Sequence, residues 1–356
     1  MEKQPVLVTA TGSIIGEGII KCLKLANRSR QVSFAYEIVA GDMRPDAAGL
    51  YRGHAAELIP SPEDELKYLD ALSKICKKYS IRAIFCGSDE ELPTLARQAD
   101  QIERETGAKV ITNPLPVIAI ATDKWKTFQL LKKSGLDCAE SSLLENRGDF
   151  VEKFGFPLIV KPRSGHGSQN IVLVGNAEEL DSALKAIRFT GGDPMIQEYL
   201  PGDDAEFTTG VVTSRKNMGR VLSSISMRRM LKHGQTYKAF IEDVEPVRVS
   251  SEKAALVLGA VGAVNIQSRL VNGASKVFEI NPRFSASCPI RAVSGVNEPD
   301  TVFRDQIRME DVSPPEIKKL VGLRYWNEVY VPYETFERAS KSGQVRGNES
   351  FIPDYF

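Results

Sequence analysis

The sequence lacks the features that would tie it to a disulfide framework, a nucleic acid or a membrane. Its five cysteines, Cys22, Cys76, Cys86, Cys138 and Cys288, stand singly, without the C-x-x-C spacing of a zinc or redox site. Free thiols suit a reducing compartment. Excess charge is absent: 46 Lys and Arg balance 46 Asp and Glu, and no basic run exceeds short clusters such as Arg228-Arg229. That balance excludes a polyanion-binding surface as the organising feature. The longest apolar stretch, Ala254 to Val264, falls far short of the ~20 residues a membrane span needs. The opening MEKQPVLVTATG runs straight into a strand-like segment without signal-peptide architecture, so a cytoplasmic location is expected. Two catalytic signatures are missing too. None of the ten tyrosines has a lysine four residues later, which removes the proton-transfer pair of a short-chain dehydrogenase, and no Gly-Lys dipeptide exists to form a Walker loop.

What is present is ordinary globular composition, 42% hydrophobic and 26% charged, in a chain of 356 residues. At roughly 100 to 200 residues per domain, this length implies two or three units with clefts between them. Apolar runs alternate with amphipathic segments from the start: PVLVTA (5–10), a helix from about Gly16, FAYEIVAG (34–41), a helix over 62–79, RAIFC (82–86), a helix near 89–105 and AKVIT (108–112). This order predicts a parallel sheet covered by helices. Ser61-Pro62-Glu63-Asp64 supplies a cap, a proline for the first helical position and first-turn acids, so the second helix is expected to begin at Pro62. A boundary is placed at Asn113-Pro114-Leu115-Pro116, where two prolines interrupt helix and strand alike.

Beyond that boundary the texture changes. A helix over 123–133, stopped at Gly135, leads to FPLIVKP (156–162) and NIVLVG (170–175), which read as a hairpin, then to a helix over 177–188. MIQEYL, EFTTGVVT, RVLSSISMRRM and VFEINPRF follow as strands with an antiparallel look. The fold class is α/β: a Rossmann-like parallel-sheet domain over 1–114, then an α+β unit. The final segment, with Trp326, Tyr330, Tyr333 and Tyr355, is expected to form a strand and a packed tail.

Four segments carry candidate chemistry. The turn from Thr9 to Gly18, with Asp42 ending the second strand, has the glycines and the acid of a dinucleotide site. Its spacing is G-x-x-x-G-x-G rather than G-x-G-x-x-G, and tight strand-to-helix packing is the competing reading. The second segment, Lys161 to Asn170, ends an apolar strand in a lysine and follows it with a loop of small residues. Such a loop can fold its amides over polyphosphate, although a plain hairpin tip is the simpler reading. In the third, Phe278 to Arg283, the two-residue strand period puts Glu279 and Asn281 on one face as hard oxygen ligands. Gln267 lies on a strand that can pair with it across the turn at Asn272-Gly273. The fourth, Met195 to Gly202 followed by Glu206, can present main-chain groups to an adenine edge and a carboxylate to a ribose. For substrate, Asp89 or Glu90 at a strand's carboxyl end can meet an amino group or simply serve as first-turn acids. Arg228, Arg229, Lys232 and Arg291 can receive a carboxylate or phosphate, and Arg228 and Arg229 point to opposite faces of their strand.

In their order and spacing these pieces resemble the ATP-grasp superfamily over roughly residues 115–310, behind the Rossmann-like domain which that family places first. The resemblance implies a small lobe over 115–195 with a glycine-rich lid, a large lobe over 196–310 with the metal strand, and a C-terminal strand and tail over 311–356. It implies that Lys124 and Lys161 contact ATP phosphates while Ser164, Gly165, His166, Gly167 and Ser168 close over them. Gln197, Glu198, Tyr199 and Leu200 would hold adenine, and Glu206 the ribose. Gln267, Glu279 and Asn281 would hold Mg²⁺ or Mn²⁺, and Arg283, Lys161 and Arg291 would act on the reacting groups. Gln267, where many family ligases carry Asp, is similar to the halves of the carbamoyl-phosphate synthetase large subunit, but Ala286 replaces a second arginine found there. The implied activity phosphorylates a small-molecule carboxylate and joins it to an amine, releasing ADP and phosphate, with no nucleic acid or membrane and with a homodimer admitted. The alternatives are a carbamoyl-phosphate-synthetase-like enzyme acting on a carbamate, a nicotinamide-dependent oxidoreductase using the first turn, and a nucleotide-binding regulator without turnover.

Overall fold

Strands whose neighbours are helices on both faces must be apolar on both faces, and the first two strands are. In β1 (Glu2–Val8) and β2 (Phe34–Asp42), Val6, Leu7, Val8, Ile38, Val39 and Ala40 are all buried. The computed structural model describes residues 1–29, 33–165, 170–202, 205–325, 327–343, 345 and 349–353. Within them β3 (Ala55–Leu58), β4 (Ala83–Phe85) and β5 (Lys109–Ile111) join the first two in a parallel sheet ordered β3-β2-β1-β4-β5. α1 (Ile14–Arg28), α2 (Glu65–Tyr79) and α3 (Leu92–Thr106) cover it. α2 starts at Glu65 rather than Pro62, because Asp64 accepts from Lys67 N and so caps the helix, while Ser61 closes only the preceding turn.

The prolines at 114 and 116 open a helix instead of interrupting one. α4 (Leu115–Ala121) begins directly after Pro114 with Pro116 in its first turn, where the missing N–H costs nothing. α5 (Lys124–Lys133) follows, capped by Asp123, which accepts from Trp125 N and Lys126 N. A four-stranded sheet comes next, ordered β6-β9-β7-β8, from β6 (Ser141–Ser142), β7 (Leu158–Pro162), β8 (Val172–Val174) and β9 (Pro194–Glu198), with α6 (Arg147–Phe154) and α7 (Ala177–Phe189) against it. β7 and β8 pair antiparallel, and Leu158, Val160 and Val174 pack on Leu180, Leu184 and Ile187 of α7.

A larger sheet has the order β14-β13-β10-β11-β12-β15 and consists of β10 (Glu206–Thr213), β11 (Val221–Lys232), β12 (Gln235–Ile241), β13 (Gly262–Val271), β14 (Ala274–Asn281) and β15 (Val321–Leu323). α8 (Glu245–Leu258) buries one face, placing Ala254, Ala255 and Leu258 on Val211, Val264, Ile266 and Ile280. The long apolar stretch from Ala254 is therefore a helix end and a strand start, separated at Gly259 with φ +72°. Near the other face lie α9 (Cys288–Val293) and α10 (Glu298–Gln306). Phe303 of α10 meets Tyr36 of the first sheet at a 5.0 Å ring separation, and Tyr36 Oη donates to Asp300 Oδ1 at 2.7 Å, tying the two sheets together. α11 (Tyr333–Ser342) lies in the tail, a helix beyond the expected strand, whereas Trp326 and Tyr355 lie outside the described residues. Among the described residues no helix is long and apolar enough to cross a membrane, and all five cysteines are buried and free.

Candidate active site

Alternation along β7 turns Leu158 and Val160 to the α7 core and Lys161 the other way. β9 pairs Gln197 with Ile159 and Met195 with Lys161, so Gln197 and Lys161 share a face. There Lys161 Nζ donates to Gln197 Oε1 at 2.8 Å and reaches Phe278 O at 3.4 Å. Gln197 is fixed in turn by Ser141, whose Oγ accepts from Nε2 at 2.9 Å. Burial pushes the Lys161 ammonium down to about 8; the Glu279 carboxylate opposes this fall and Lys124 adds to it. Lys124, at the start of α5, points its Nζ to Gly165 O at 2.7 Å, while its own N–H donates to Arg163 O. The two lysines are thus brought together from 37 residues apart by a capped helix and a strand end.

The oxygen-bearing strand is the second wall. Asn272-Gly273 closes a two-residue turn at φ +50° and +81°, the conformation that an Asn-Gly hairpin favours. The register sets Gln267 opposite Glu279 and Asn265 opposite Asn281, then jumps to Ser268 opposite Val277, which leaves Phe278 as the extra residue of a bulge beside Lys161. Asn281 Nδ2 donates to Glu279 Oε1 at 3.0 Å. Asn281 Oδ1 accepts from Arg283 Nη2 at 3.1 Å, and Gln267 Oε1 from Arg229 Nη2 at 2.8 Å. Both carboxamide oxygens therefore face cationic groups. Arg229, Gln267, Glu279, Asn281 and Arg283 line one cleft of about 440 Å³.

The first sheet supplies the cleft's third side through Ser13, Ser88, Asp89 and Glu90. Asp89 grips Arg283 with both oxygens, Oδ1 to Nε at 2.9 Å and Oδ2 to Nη2 at 2.8 Å. Ser13, Ser88 and Glu90 also border a larger cavity of about 710 Å³ at the carboxyl ends of the parallel strands. Beneath it Glu91 is buried, accepts from Thr9 Oγ1 at 2.7 Å and Tyr68 Oη at 3.0 Å, and is raised by burial to about 7. The first turn serves packing. A Cβ on Gly16 would stand 2.4 Å from Ala10 O, and Asp42, at the wall of the larger cavity, accepts from Gly12 N and Arg44 N and so ties the first turn to the loop after β2.

Several expected residues sit differently. Arg291 does not open into the cleft: it is fully buried and paired with Glu298 at 2.7 Å, because α9 turns it inward beneath β10. Glu198 braces strands, accepting from Glu140 N and from Lys276 Nζ at 2.8 and 2.7 Å. Gln197 holds Lys161 through its side chain, and Leu200 is buried while Tyr199 is half-buried. Glu206 is occupied by Arg229, at 3.0 and 2.7 Å, and by Arg269 at 3.4 Å. Arg228 and Arg229 do part company, Arg228 turning to Glu242 and Arg229 into the cleft. Ser164 and Gly165 end the described part of the glycine loop, and His166, Gly167 and Ser168 lie outside the described residues. Sequence reasoning missed Asn265, although its position two residues before Gln267 on one strand signals the same face.

Comparison with known proteins matches two successive parts of the chain. Residues 7–111 match the family described as PylC-like, N-terminal domain, and residues 121–287 the family described as ATP-grasp domain. The chain is 24% identical over 197 residues to the carbamoyl phosphate synthase large chain of Neisseria meningitidis serogroup B, covering 52% of this chain and 18% of that one. It thus spans less than a fifth of the curated relatives it matches. Among solved structures, N5-carboxyaminoimidazole synthetase from Staphylococcus aureus complexed with ADP superposes with a TM-score of 0.69 at 16% identity, covering 99% and 94% of the two chains. The biotin carboxylase domain of Hydrogenobacter thermophilus 2-oxoglutarate carboxylase, in complex with MgADP, ADP and bicarbonate, gives 0.68 at 18%, covering 92% and 79%. Residues 121–287, with the paired lysines and the oxygen-bearing hairpin, therefore carry an ATP-grasp domain, behind a parallel-sheet domain that matches the PylC-like N-terminal family.

Proposed function

We propose that the protein is an ATP-dependent ligase which phosphorylates a small-molecule carboxylate and joins it to an amine, releasing ADP and phosphate. The observation that carries this reading is the arrival of Lys161 beside the Phe278 bulge, with the Glu279 carboxylate close enough to act on the lysine's proton affinity. Lys124 and Lys161 would meet the triphosphate as two point charges on rigid elements. Tyr199 and Leu200, just past the last pairing of β9, would offer main-chain groups to adenine. Glu206 Oε2 keeps acceptor capacity for a ribose hydroxyl beside its single contact from Arg269.

One carboxylate and two carboxamides form an all-oxygen set, and both carboxamide oxygens already face positive charge, an orientation that suits Mg²⁺ or Mn²⁺. A divalent cation held by Gln267, Glu279 and Asn281 would neutralise phosphate charge in the transfer step. Arg283 is positioned by Asp89 and Asn281 to steady the transferring phosphoryl group. The larger cavity, which shares Glu90 with the cleft, gives an amine substrate room and an acid to approach. Gln267 favours the carbamoyl-phosphate-synthetase-like variant of this chemistry, with a carbamate as the acid, whereas Ala286 at the cleft wall speaks against bicarbonate. Separate free thiols suit a cytoplasmic enzyme.

The test is ADP release with Mg²⁺ over a panel of amino acids, hydroxy acids and amines. Wild-type protein is expected to release ADP only when a matching acid is present. Glu279→Ala is expected to retain its fold, read by circular dichroism, and lose that release. Full turnover by this variant refutes the assignment.

A further inference from the structure

Asn265 lies on β13 opposite Asn281 and faces the cleft, yet its own oxygen is turned away from it. Oδ1 accepts from Arg291 Nη2 at 2.6 Å and from Thr208 Oγ1 at 2.7 Å. Arg291 Nη2 also donates to Thr208 Oγ1 at 3.1 Å, so the threonine hydroxyl accepts from the guanidinium and passes its own hydrogen to Asn265. A guanidinium accepts no hydrogen bond, so the carboxamide oxygen and not its nitrogen must face Arg291. The flip is thereby settled by chemistry. Asn265 is 2% exposed, and its Nδ2 has no hydrogen-bond partner among the described residues. This unpartnered donor is the part of Asn265 left to face the cleft, where a ligand oxygen can take its hydrogen bond.

The device that sets this orientation is built at a cost. Arg291 is fully buried, with Nη1 on Glu298 Oε1 at 2.7 Å and Nε without a partner. β10 makes room for the pair by carrying glycine opposite Asn265: a Cβ on Gly210 would stand 1.7 Å from Glu298 Oε1 and 2.3 Å from Arg291 Nη1. Buried ion pairs of this kind add little net stability, so their use must be sought in what they position.

We infer that Asn265 is a substrate-contacting residue whose Nδ2 donates a hydrogen bond to a carboxylate oxygen of the acid, with Arg291 and Thr208 as its positioning residues. This rests on the ligase reading for the presence of an acid in the cleft. A carboxylate is acceptor-only and suits the donor, whereas a protonated amine has nothing to offer it, so Asn265 selects the acid and not the amine. Asn265 is no metal ligand, because its oxygen is turned out of the cleft onto the buried Arg291 and Thr208.

The test has two parts. Crystals of the wild-type protein are soaked with MgADP and sodium acetate, the acetate serving as a minimal carboxylate. An acetate oxygen is expected within about 2.7–3.2 Å of Nδ2, and its loss is expected in Asn265→Asp, which keeps the shape and replaces the donor by an acceptor. In turnover, Asn265→Asp is expected to raise the KM of the acid roughly 10- to 100-fold with the KM of ATP unchanged. Thr208→Val, a milder change than any at Arg291, is expected to move the same constant in the same direction by less. Acetate seated elsewhere or absent, or a fall in kcat with the acid KM unmoved, overturns the inference. If MgADP does not protect the wild-type protein against thermal unfolding, the ligase reading fails, and the position of acetate still decides this one.

Discussion

Lys161→Met separates what the cleft's buried charge costs from what it does. The ammonium is 2% exposed, and burial takes it from an ordinary 10.5 to about 8. At about 1.4 kcal/mol per pH unit, that difference is a penalty of roughly 3 kcal/mol. The unfolded chain keeps this proton up to 10.5 and the native protein releases it near 8, so stability rises with pH through that window. The penalty is fully present below pH 8. Methionine removes it but leaves Gln197 Oε1 without its donor, at a cost of about 1–3 kcal/mol. The variant is therefore expected to match or exceed wild-type stability at pH 7 by about 0–2 kcal/mol, and to fall below it at pH 10.5, where the lysine is neutral and only the lost hydrogen bond remains. Urea unfolding at the two pH values measures the crossing. ADP release should fall by about 10²-fold or more, the scale set by removing one preorganised electrostatic group. A variant less stable by the same amount at both pH values refutes the burial argument, and normal turnover refutes the role in catalysis.

Two further predictions concern groups outside the proposed chemistry. Glu91 holds its proton to about 7 in the native state and to about 4.5 when unfolded, so the wild-type protein loses up to about 3 kcal/mol as pH climbs through that range. Glu91→Gln should raise the melting temperature at pH 8 and hardly change it at pH 4.5; equal increments at both would show that the carboxyl's titration is not the cause. Gly210→Ala drives a methyl group into the Arg291–Glu298 pair and should cost about 3 kcal/mol or more, read as a large drop in melting temperature or as insoluble protein. A wild-type melting temperature in that variant means that the pair has room which its geometry denies.

The legible parts of the chain were those where local pattern and tertiary role agree. The parallel strands were visible because both faces of Val6 to Val8 and Ile38 to Ala40 are buried and nothing polar breaks the runs. The oxygen-bearing hairpin was visible because Asn272-Gly273 fixes a two-residue turn and the period of two then fixes which side chains share a face. β3 escaped notice because four residues next to Gly53-His54 and Pro60 carry too little periodicity. The prolines at 114 and 116 misled because the same residue stops a helix from within and opens one from its first turn. Arg291 misled for a different reason. An arginine three residues into a short helix after a reactive strand looks available, and only Gly210, 81 residues earlier, leaves the space that lets it turn inward.

Four cations of the candidate site already have resident partners: Lys124 the Gly165 carbonyl, Lys161 the Gln197 carboxamide, Arg229 the Glu206 carboxylate and Arg283 the Asp89 carboxylate. Arg229 and Arg283 line one cleft and Lys161 feels the charge of Lys124, so without these partners the like charges would repel one another more strongly. A triphosphate entering this space does not add contacts to bare charges but exchanges with oxygens already there, so the net gain per lysine or arginine is the difference between two hydrogen bonds rather than a whole one. The two kinds of partner divide the work. Neutral oxygens hold the two lysines and give way to a polyanion readily, because charge-assisted bonds to phosphate are the stronger. Carboxylates hold the two arginines, Asp89 with both oxygens on Arg283 and Glu206 with Oε1 shared by Nε and Nη2 of Arg229, and these do not give way so easily. In the proposed ligase Arg283 would therefore reach the phosphoryl group with the fork toward Asp89 intact, and that contact would make the parallel-sheet domain part of the catalytic apparatus rather than a separate neighbour.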